Sequence, residues 1–238
     1  MYKRQLLDQY EDDANRDHTV MPGMVYLSQP TEYGTLYSKK ELAAISALCR
    51  EKRLPLYIDG ARLAYALACP ENDVTLRDLA ALCDIFYIGG TKCGALLGEA
   101  VVIPQPGLIP HFFTIIKQHG ALLAKGRLLG IQFDTLFTDG LYERIGKDAV
   151  RYADAIRRAM AENGYLPCFP SPTNQSFCIV SEQQRKELAE RVDFSVWEQY
   201  DETHSIIRFA TSWATREEGV NALCRILREC AAQEKVAS

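Results

Sequence analysis

The sequence predicts an α/β fold: part of a large domain with a mostly parallel sheet between helices, then a small C-terminal α+β domain. Three observations lead there. Short apolar runs alternate with helical patterns through the first half of the 238 residues. One long amphipathic segment spans 141–164, and strand signals cluster after it. Strands separated by helices pair mostly in parallel, because each crossover has to cover the sheet.

Taken in order, residues 24–28 read as a strand. Ser38 and Glu41 form a capping box for a helix whose Leu42, Ile45, Leu48 and Cys49 fall at helical spacing. A strand at 54–58 follows. Thr75 and Asp78 form a second capping box, for a short helix ending near Cys83, before strands at 85–88 and 99–103. Residues 107–164 are helical, and Asn163-Gly164 closes the long segment as a C-cap signal. Strands near 175–180, 194–200 and 205–211, with helices near 182–191 and 215–233, make up the rest. The division falls near residue 140, giving domains 1–140 and 141–238. No Gly/Ser-rich linker separates them, so the two units should pack firmly.

Composition narrows the function. A net charge of −4 and a pI near 5.7, without a basic run, argue against nucleic acid as a partner. No apolar run is long enough for a membrane helix, and the polar start MYKRQLLDQYEDDANRD does not resemble a signal peptide. The expectation is a soluble, cytoplasmic protein. Eight scattered cysteines without a CxxC pair read as free thiols rather than metal ligands.

Two charges stand where strands end. Asp59 follows Leu56-Tyr57-Ile58, and Lys92 follows Ile85-Phe86-Tyr87-Ile88 through the turn Gly89-Gly90-Thr91. In open α/β sheets, ligands collect at the carboxyl ends of the strands. A lysine amine does covalent work on a carbonyl ligand, and an acid partners a pyridinium nitrogen. The pair points to pyridoxal phosphate. Gly89, Gly90, Gly94 and Gly98 would leave room for a flat ligand, and Thr91 offers a hydroxyl. The plainer alternatives are a solvated loop charge for Lys92 and a structural ion pair between Asp59 and Arg62.

Five blocks, QPTEYGTLYS (29–38), YIDGARL (57–63), GGTKCGALLGEAVV (89–102), KQHGALLAKGRLLGIQF (117–133) and IIRFATSWATREEGVNAL (206–223), resemble successive blocks of the threonine aldolase and β-eliminating lyase family. They occur in family order and reach from about residue 22 to near the end of the chain. The resemblance implies the aspartate aminotransferase type I fold, pyridoxal 5'-phosphate as cofactor, and a small β-hydroxy amino acid as substrate. The reaction it implies is retro-aldol cleavage of L-threonine to glycine and acetaldehyde. The alternative it implies is a β-eliminating lyase or an aminotransferase on the same fold. Assembly as a homodimer or homotetramer is implied for a complete site.

Carried over by residue, the resemblance makes Lys92 the Schiff-base lysine and Asp59 the partner of the pyridine nitrogen. Arg62 would lie beside the ring, near the phenolic oxygen and the substrate carboxylate, and Thr91 beside the cofactor. Arg208 matches the arginine that binds the substrate α-carboxylate. A guanidinium fork suits that task because it holds a carboxylate through two parallel hydrogen bonds. Lys125 and Arg127 fall where relatives carry basic residues near the cofactor phosphate, and read equally well as a solvated helix face. Thr31 and Glu32 lie on a loop that approaches the cofactor in the family. None of His18, His111, His119 and His204 is assigned as the base for the β-hydroxyl.

The family's phosphate cup and ring-stacking residue come from well upstream of the aspartate. Here a single glycine, Gly23, precedes Gly34, and about the first third of a typical member has no counterpart. The expectation is a truncated large domain, with one side of the sheet exposed and an edge open to pairing. Two function classes follow: a working aldolase with the missing elements supplied elsewhere, or a catalytically incompetent remnant acting as a binding or assembly module.

Overall fold

The computed structural model describes residues 2–237, with side chains from residue 3 to 231. Strands β1 (Val25–Ser28), β2 (Leu56–Asp59), β3 (Ile85–Ile88) and β4 (Ala100–Val102) form a sheet in that order. The first three are parallel, and β4 returns antiparallel to β3. Helix α2 (Lys39–Glu51) crosses from β1 to β2, and α3 (Leu63–Leu67) and α4 (Leu76–Leu82) cross from β2 to β3. Both expected capping boxes form: Ser38 accepts from the Glu41 N–H, Thr75 from the Asp78 N–H, and each acid reaches back to its cap.

Side chains alternate across a sheet, and that alternation gives this one two unlike faces. Val25, Leu27, Leu56, Ile58, Phe86 and Ile88 are buried in a core shared with Leu42 of α2 and Leu79 of α4. The intervening residues Tyr26, Tyr57 and Tyr87 project the other way. Tyr26 stacks on Tyr57 with ring centroids 5.3 Å apart, yet Tyr26 and Val101 stay 53% and 57% exposed.

Strand β2 runs from residue 56 to 59 rather than 54 to 58. The ladder with β1 sets this register, pairing Val25 with Leu56 and Ser28 with Asp59. Asp59 is therefore the last strand residue, on the same face as the tyrosines. Two helices escaped the sequence reading. Polar α1 (Tyr2–Asp12) lies against α2 through ion pairs from Arg4 to Glu51 (2.7 Å) and from Lys52 to Asp8 (2.7 Å) and Glu11 (2.6 Å). Its short stripe of Leu6, Leu7 and Tyr10 at helical spacing is set among charged residues. The five-residue α3 is too short to show a period.

Helices α5 (Phe112–Gln118) and α6 (Arg127–Phe137) lead into α7 (Leu141–Glu162). Tyr142, Gly146, Ala149, Val150, Ala153, Ile156, Ala159 and Met160 form the buried stripe of α7, at the spacing of one helical face. Its first half packs in the core of the parallel sheet and its second half in a separate core. Asn163 is its C-cap, followed by Gly164 at φ +80°.

The second sheet, β5 (Leu166–Pro167), β6 (Gln175–Ser181), β8 (His204–Ala210) and β7 (Ser195–Gln199), is antiparallel in the order β5-β6-β8-β7. Cys178, Val180, Ile207 and Phe209 pack against α7 and α9 (Glu217–Ala237), and α8 (Glu182–Ala189) starts from a third capping box at Ser181 and Gln184. Among the described residues no helix is long and apolar enough to cross a membrane.

Helices α3 and α7 touch through Gly146, where a Cβ would stand 2.2 Å from the Ala64 carbonyl oxygen and 2.7 Å from the Ala68 Cβ. Backbone cannot yield there, so Gly146→Ala should lower stability by about 2 kcal/mol or more. Gly219→Ala, on α9 with nothing within 4 Å of the new Cβ, should be neutral or stabilise by up to about 1 kcal/mol. Chemical denaturation measures both, and an undiminished midpoint for Gly146→Ala would refute the close packing of α3 on α7.

Candidate active site

The loops that leave β2 and β3 cross in backbone contact. The Gly89 N–H donates to the Gly60 carbonyl at 2.9 Å. A Cβ on Gly60 would meet the Tyr87 carbonyl oxygen at 2.1 Å, and one on Gly89 the Ala61 carbonyl oxygen at 2.3 Å. Gly90 faces the Gly98 carbonyl and the ring of Phe133. The reading of these glycines as room for a flat ligand is thus corrected at Gly89 and Gly90: the space is filled by the protein's own backbone and side chains, and only glycine permits the approach.

Asp59 stands on that crossing. Tyr26 Oη donates to Asp59 Oδ2, Tyr87 also hydrogen bonds the carboxylate, and the Ala61 N–H donates to Oδ1 at 2.9 Å. Burial pushes the carboxyl up, but the tyrosine hydrogen bonds, the Ala61 N–H and the charge of Lys92 together hold it below the ordinary aspartate value. Both phenols are raised, by burial first and by Asp59 second, so they remain donors. No ion pair joins Asp59 to Arg62 among the described residues. The structural alternative for Asp59 is not what forms; phenols do the holding instead.

Lys92 is exposed in the turn after β3, and its backbone is fixed from below. Tyr65, fully buried on α3, donates its hydroxyl to the Lys92 carbonyl and accepts the Trp213 N–H at 3.3 Å. Tyr142 donates to the Gly89 carbonyl at 2.8 Å. Burial raises the thiol of the neighbouring Cys93 to about 11, which leaves it protonated near neutral pH. On the outer side, Gly90 donates to Glu99, Thr91 Oγ1 approaches the Gly98 carbonyl at 3.5 Å, and Gln132 Oε1 accepts from Leu96 at 2.7 Å.

Arginines from the two halves of the chain come within electrostatic reach of each other. On β8, Arg208 donates Nη1 to Gln175 Oε1 at 3.1 Å and Nη2 to Ser195 Oγ at 3.2 Å, while its buried Nε has no partner. Burial lowers its pKa, the positive charge of Arg62 lowers it further, and Glu32 works in the opposite sense. Neither arginine forms an ion pair among the described residues. Two guanidinium groups within electrostatic reach of each other, neither neutralised by an ion pair among the described residues, leave positive charge that an anion would complement.

Thr31 closes a turn with Thr35, Oγ1 to Oγ1 at 2.7 Å, and the Glu32 carbonyl accepts Gln175 Nε2 at 3.1 Å, tying this turn to β6. Lys125 and Arg127, at the start of α6, are exposed, and their side chains make no hydrogen bond or ion pair among the described residues. His204 is engaged by Asp201 at 3.0 Å. His18, His111 and His119 are exposed, and no hydrogen bond joins them to the cluster among the described residues.

The sequence reading missed Tyr26, Tyr87, Tyr65, Gln175 and Trp197. A usable signal existed for two of them: Tyr26 and Tyr87 take alternate positions in strands flanking the one that carries Asp59. Chemically, the arrangement offers an ionised carboxylate for a protonated ring nitrogen, an amine for a carbonyl, and a cationic pair for a carboxylate.

A β-eliminating lyase family model matches residues 3–192. The low specificity L-threonine aldolase of Pseudomonas aeruginosa is 34% identical over 216 residues, covering 89% of this chain and 60% of its own length. A solved threonine aldolase of Leishmania major superposes with a TM-score of 0.90 at 41% identity, covering 96% of this chain and 66% of that one. A serine palmitoyltransferase of Sphingomonas wittichii, 11% identical and covering 95% of this chain and 60% of its own, shares the fold with a TM-score of 0.66. The chain thus spans 60–66% of the length of these proteins.

Because the native pKa of Asp59 is depressed, its stabilising contribution is fully present above the ordinary value of 3.8 and is lost as the pH falls through the native value. Tyr26→Phe should raise the Asp59 pKa and shrink that contribution. Carbon-detected NMR titration of the carboxylate reads the shift directly. An unmoved Asp59 titration would show that the phenol does not hold the charge.

Proposed function

The chain belongs to the β-eliminating lyase family, and we propose that it serves a pyridoxal-phosphate-dependent lyase activity of the threonine aldolase kind, cleaving L-threonine to glycine and acetaldehyde. The observations that support this reading are an ionised Asp59 within electrostatic reach of the exposed Lys92, and an Arg208 within electrostatic reach of Arg62, three residues beyond Asp59. The donor set fits the ring end of the cofactor: a carboxylate kept charged by two phenols suits a protonated pyridine nitrogen, and Lys92 is the amine within electrostatic reach of it.

When bound, pyridoxal phosphate supplies the electron sink for the pair left on the α-carbon. Asp59 would hold the ring nitrogen in its protonated form, and Lys92 would offer its amine to the cofactor's aldehyde carbon. Thr91, beside Lys92 in the turn, would offer its hydroxyl to the cofactor. Arg62 and Arg208 would hold the substrate α-carboxylate, and that hold would fix the orientation of the bonds at its α-carbon. Lys125 and Arg127 are proposed for the phosphate, where exposed and unpaired cations are free to serve. Assembly as a dimer or tetramer in the cytoplasm belongs to the same reading.

The test is direct. Mixed with pyridoxal phosphate, the chain should show the visible absorption band of a lysine-bound cofactor, and Lys92→Ala should abolish it. Threonine should release acetaldehyde, whereas pyruvate from serine would mark β-elimination instead. Arg208→Gln should raise the KM for threonine roughly 10- to 100-fold, the loss of charge-assisted hydrogen bonds. A band that survives Lys92→Ala, or none at all, overturns the proposal.

A further inference from the structure

Arg208 is held in an unusual way for a half-buried cation. Gln175 and Ser195 occupy its two Nη groups, Trp197 covers its face with the guanidinium carbon 4.7 Å from the ring centroid, and Nε is left over. All three holders are neutral. An acidic partner would fix the guanidinium equally well, but it would also cancel the charge that a carboxylate ligand needs.

The position of Trp197 comes from an irregularity in the edge strand. Ser195 pairs with Arg208 and Val196 with Ile207, but the next pair is Glu198 with Ile206. Trp197 is therefore the extra residue of a β-bulge, a device that re-aims a side chain and often sits beside a functional site. With no residue directly across from it, the indole leans over Arg208 instead of standing opposite a partner. It is half-buried, while Ser195, Val196, Glu198 and Gln199 around it are exposed. Phe177, the residue paired with Arg208 on β6, packs edge-on against the indole at 5.4 Å, and Tyr33 does so at 6.0 Å. The ring is thus wedged between the turn that carries Glu32 and the strand that carries Arg208.

We propose that Trp197 is a positioning residue for carboxylate recognition: its bulged indole holds the Arg208 guanidinium flat without a countercharge, leaving the cation for a carboxylate ligand. The inference rests on the reading of Arg208 as the carboxylate anchor. A cation–π contact to tryptophan is stronger than one to tyrosine or phenylalanine, and is strongest where water is excluded. Threonine affinity should depend on the indole in that order: Trp, then Phe, then Leu.

The experiment uses the full chain with pyridoxal phosphate and measures affinity calorimetrically for two ligands. L-threonine carries the carboxylate; 1-aminopropan-2-ol keeps the amine and hydroxyl and lacks it. Trp197→Leu should weaken threonine binding roughly 5- to 30-fold and leave 1-aminopropan-2-ol unchanged, with Trp197→Phe in between. In nitrogen-15 NMR the Arg208 Nε–H signal, assigned by its loss in Arg208→Lys, should move in Trp197→Leu as the indole ring current disappears. Equal weakening for both ligands, or no weakening for threonine, overturns the positioning role while Arg208→Gln still weakens threonine. If Arg208→Gln leaves threonine affinity unchanged, the reading of Arg208 falls, and the inference with it. Should Trp197→Leu fail to fold, Trp197→Phe decides the matter through the same signal and the same pair of ligands.

Discussion

The crossing of the β2 and β3 loops is the constraint on which the site depends. Gly60, Ala61 and Gly89 approach so closely that no Cβ fits at either glycine. That contact places the last residue of β2, Asp59, beside the turn that presents Lys92. Parallel pairing of β2 with β3 aligns their carboxyl ends, and the glycines let the exits lie on top of one another. Chemistry at a strand-end crevice is here a matter of backbone fit before it is one of side chains.

Two further devices connect that crevice to the second half of the chain. Helix α7 runs through both cores on one buried stripe, so the antiparallel sheet is mounted on the same rod that presses on α3. Tyr65 of α3 then bridges the Lys92 carbonyl and the Trp213 N–H, a few residues beyond β8. Arg157 adds hydrogen bonds to the carbonyls of Pro172, Thr173 and Gln175. Arg208 is held relative to Lys92 by this path, although the two lie 116 residues apart in sequence.

Electrostatics divides the crevice into two regimes. On one side, Asp59 is satisfied: phenols and a backbone N–H hold its charge, and Lys92 favours it. On the other side, Arg62 and Arg208 repel one another, and neither has an ion pair among the described residues. One charge is thus fully matched, whereas two like charges lack a countercharge, and the proposed carboxylate clamp rests on that difference. The exposed tyrosine face of the parallel sheet, with Tyr26 more than half open, shows that Asp59 relies on hydroxyl groups that solvent also reaches.

Much was legible in order along the chain. Capping boxes at Ser38 and Thr75, the stripe of α7 and its Asn163-Gly164 end, and the apolar runs of β1, β2 and β3 are local signals, decided by backbone hydrogen bonding and side-chain spacing within a few residues. So is the placing of Asp59 and Lys92 at strand ends. What only the tertiary structure decided are relations across the sequence: that Asp59 is held by Tyr26 and Tyr87 rather than by Arg62, that the glycines serve backbone contact, and that a bulge in β7 brings Trp197 over Arg208. Register, strand order and like-charge proximity arise when distant segments pack, and no local periodicity encodes them. The sequence by itself determined which groups could do chemistry; packing determined which of them meet.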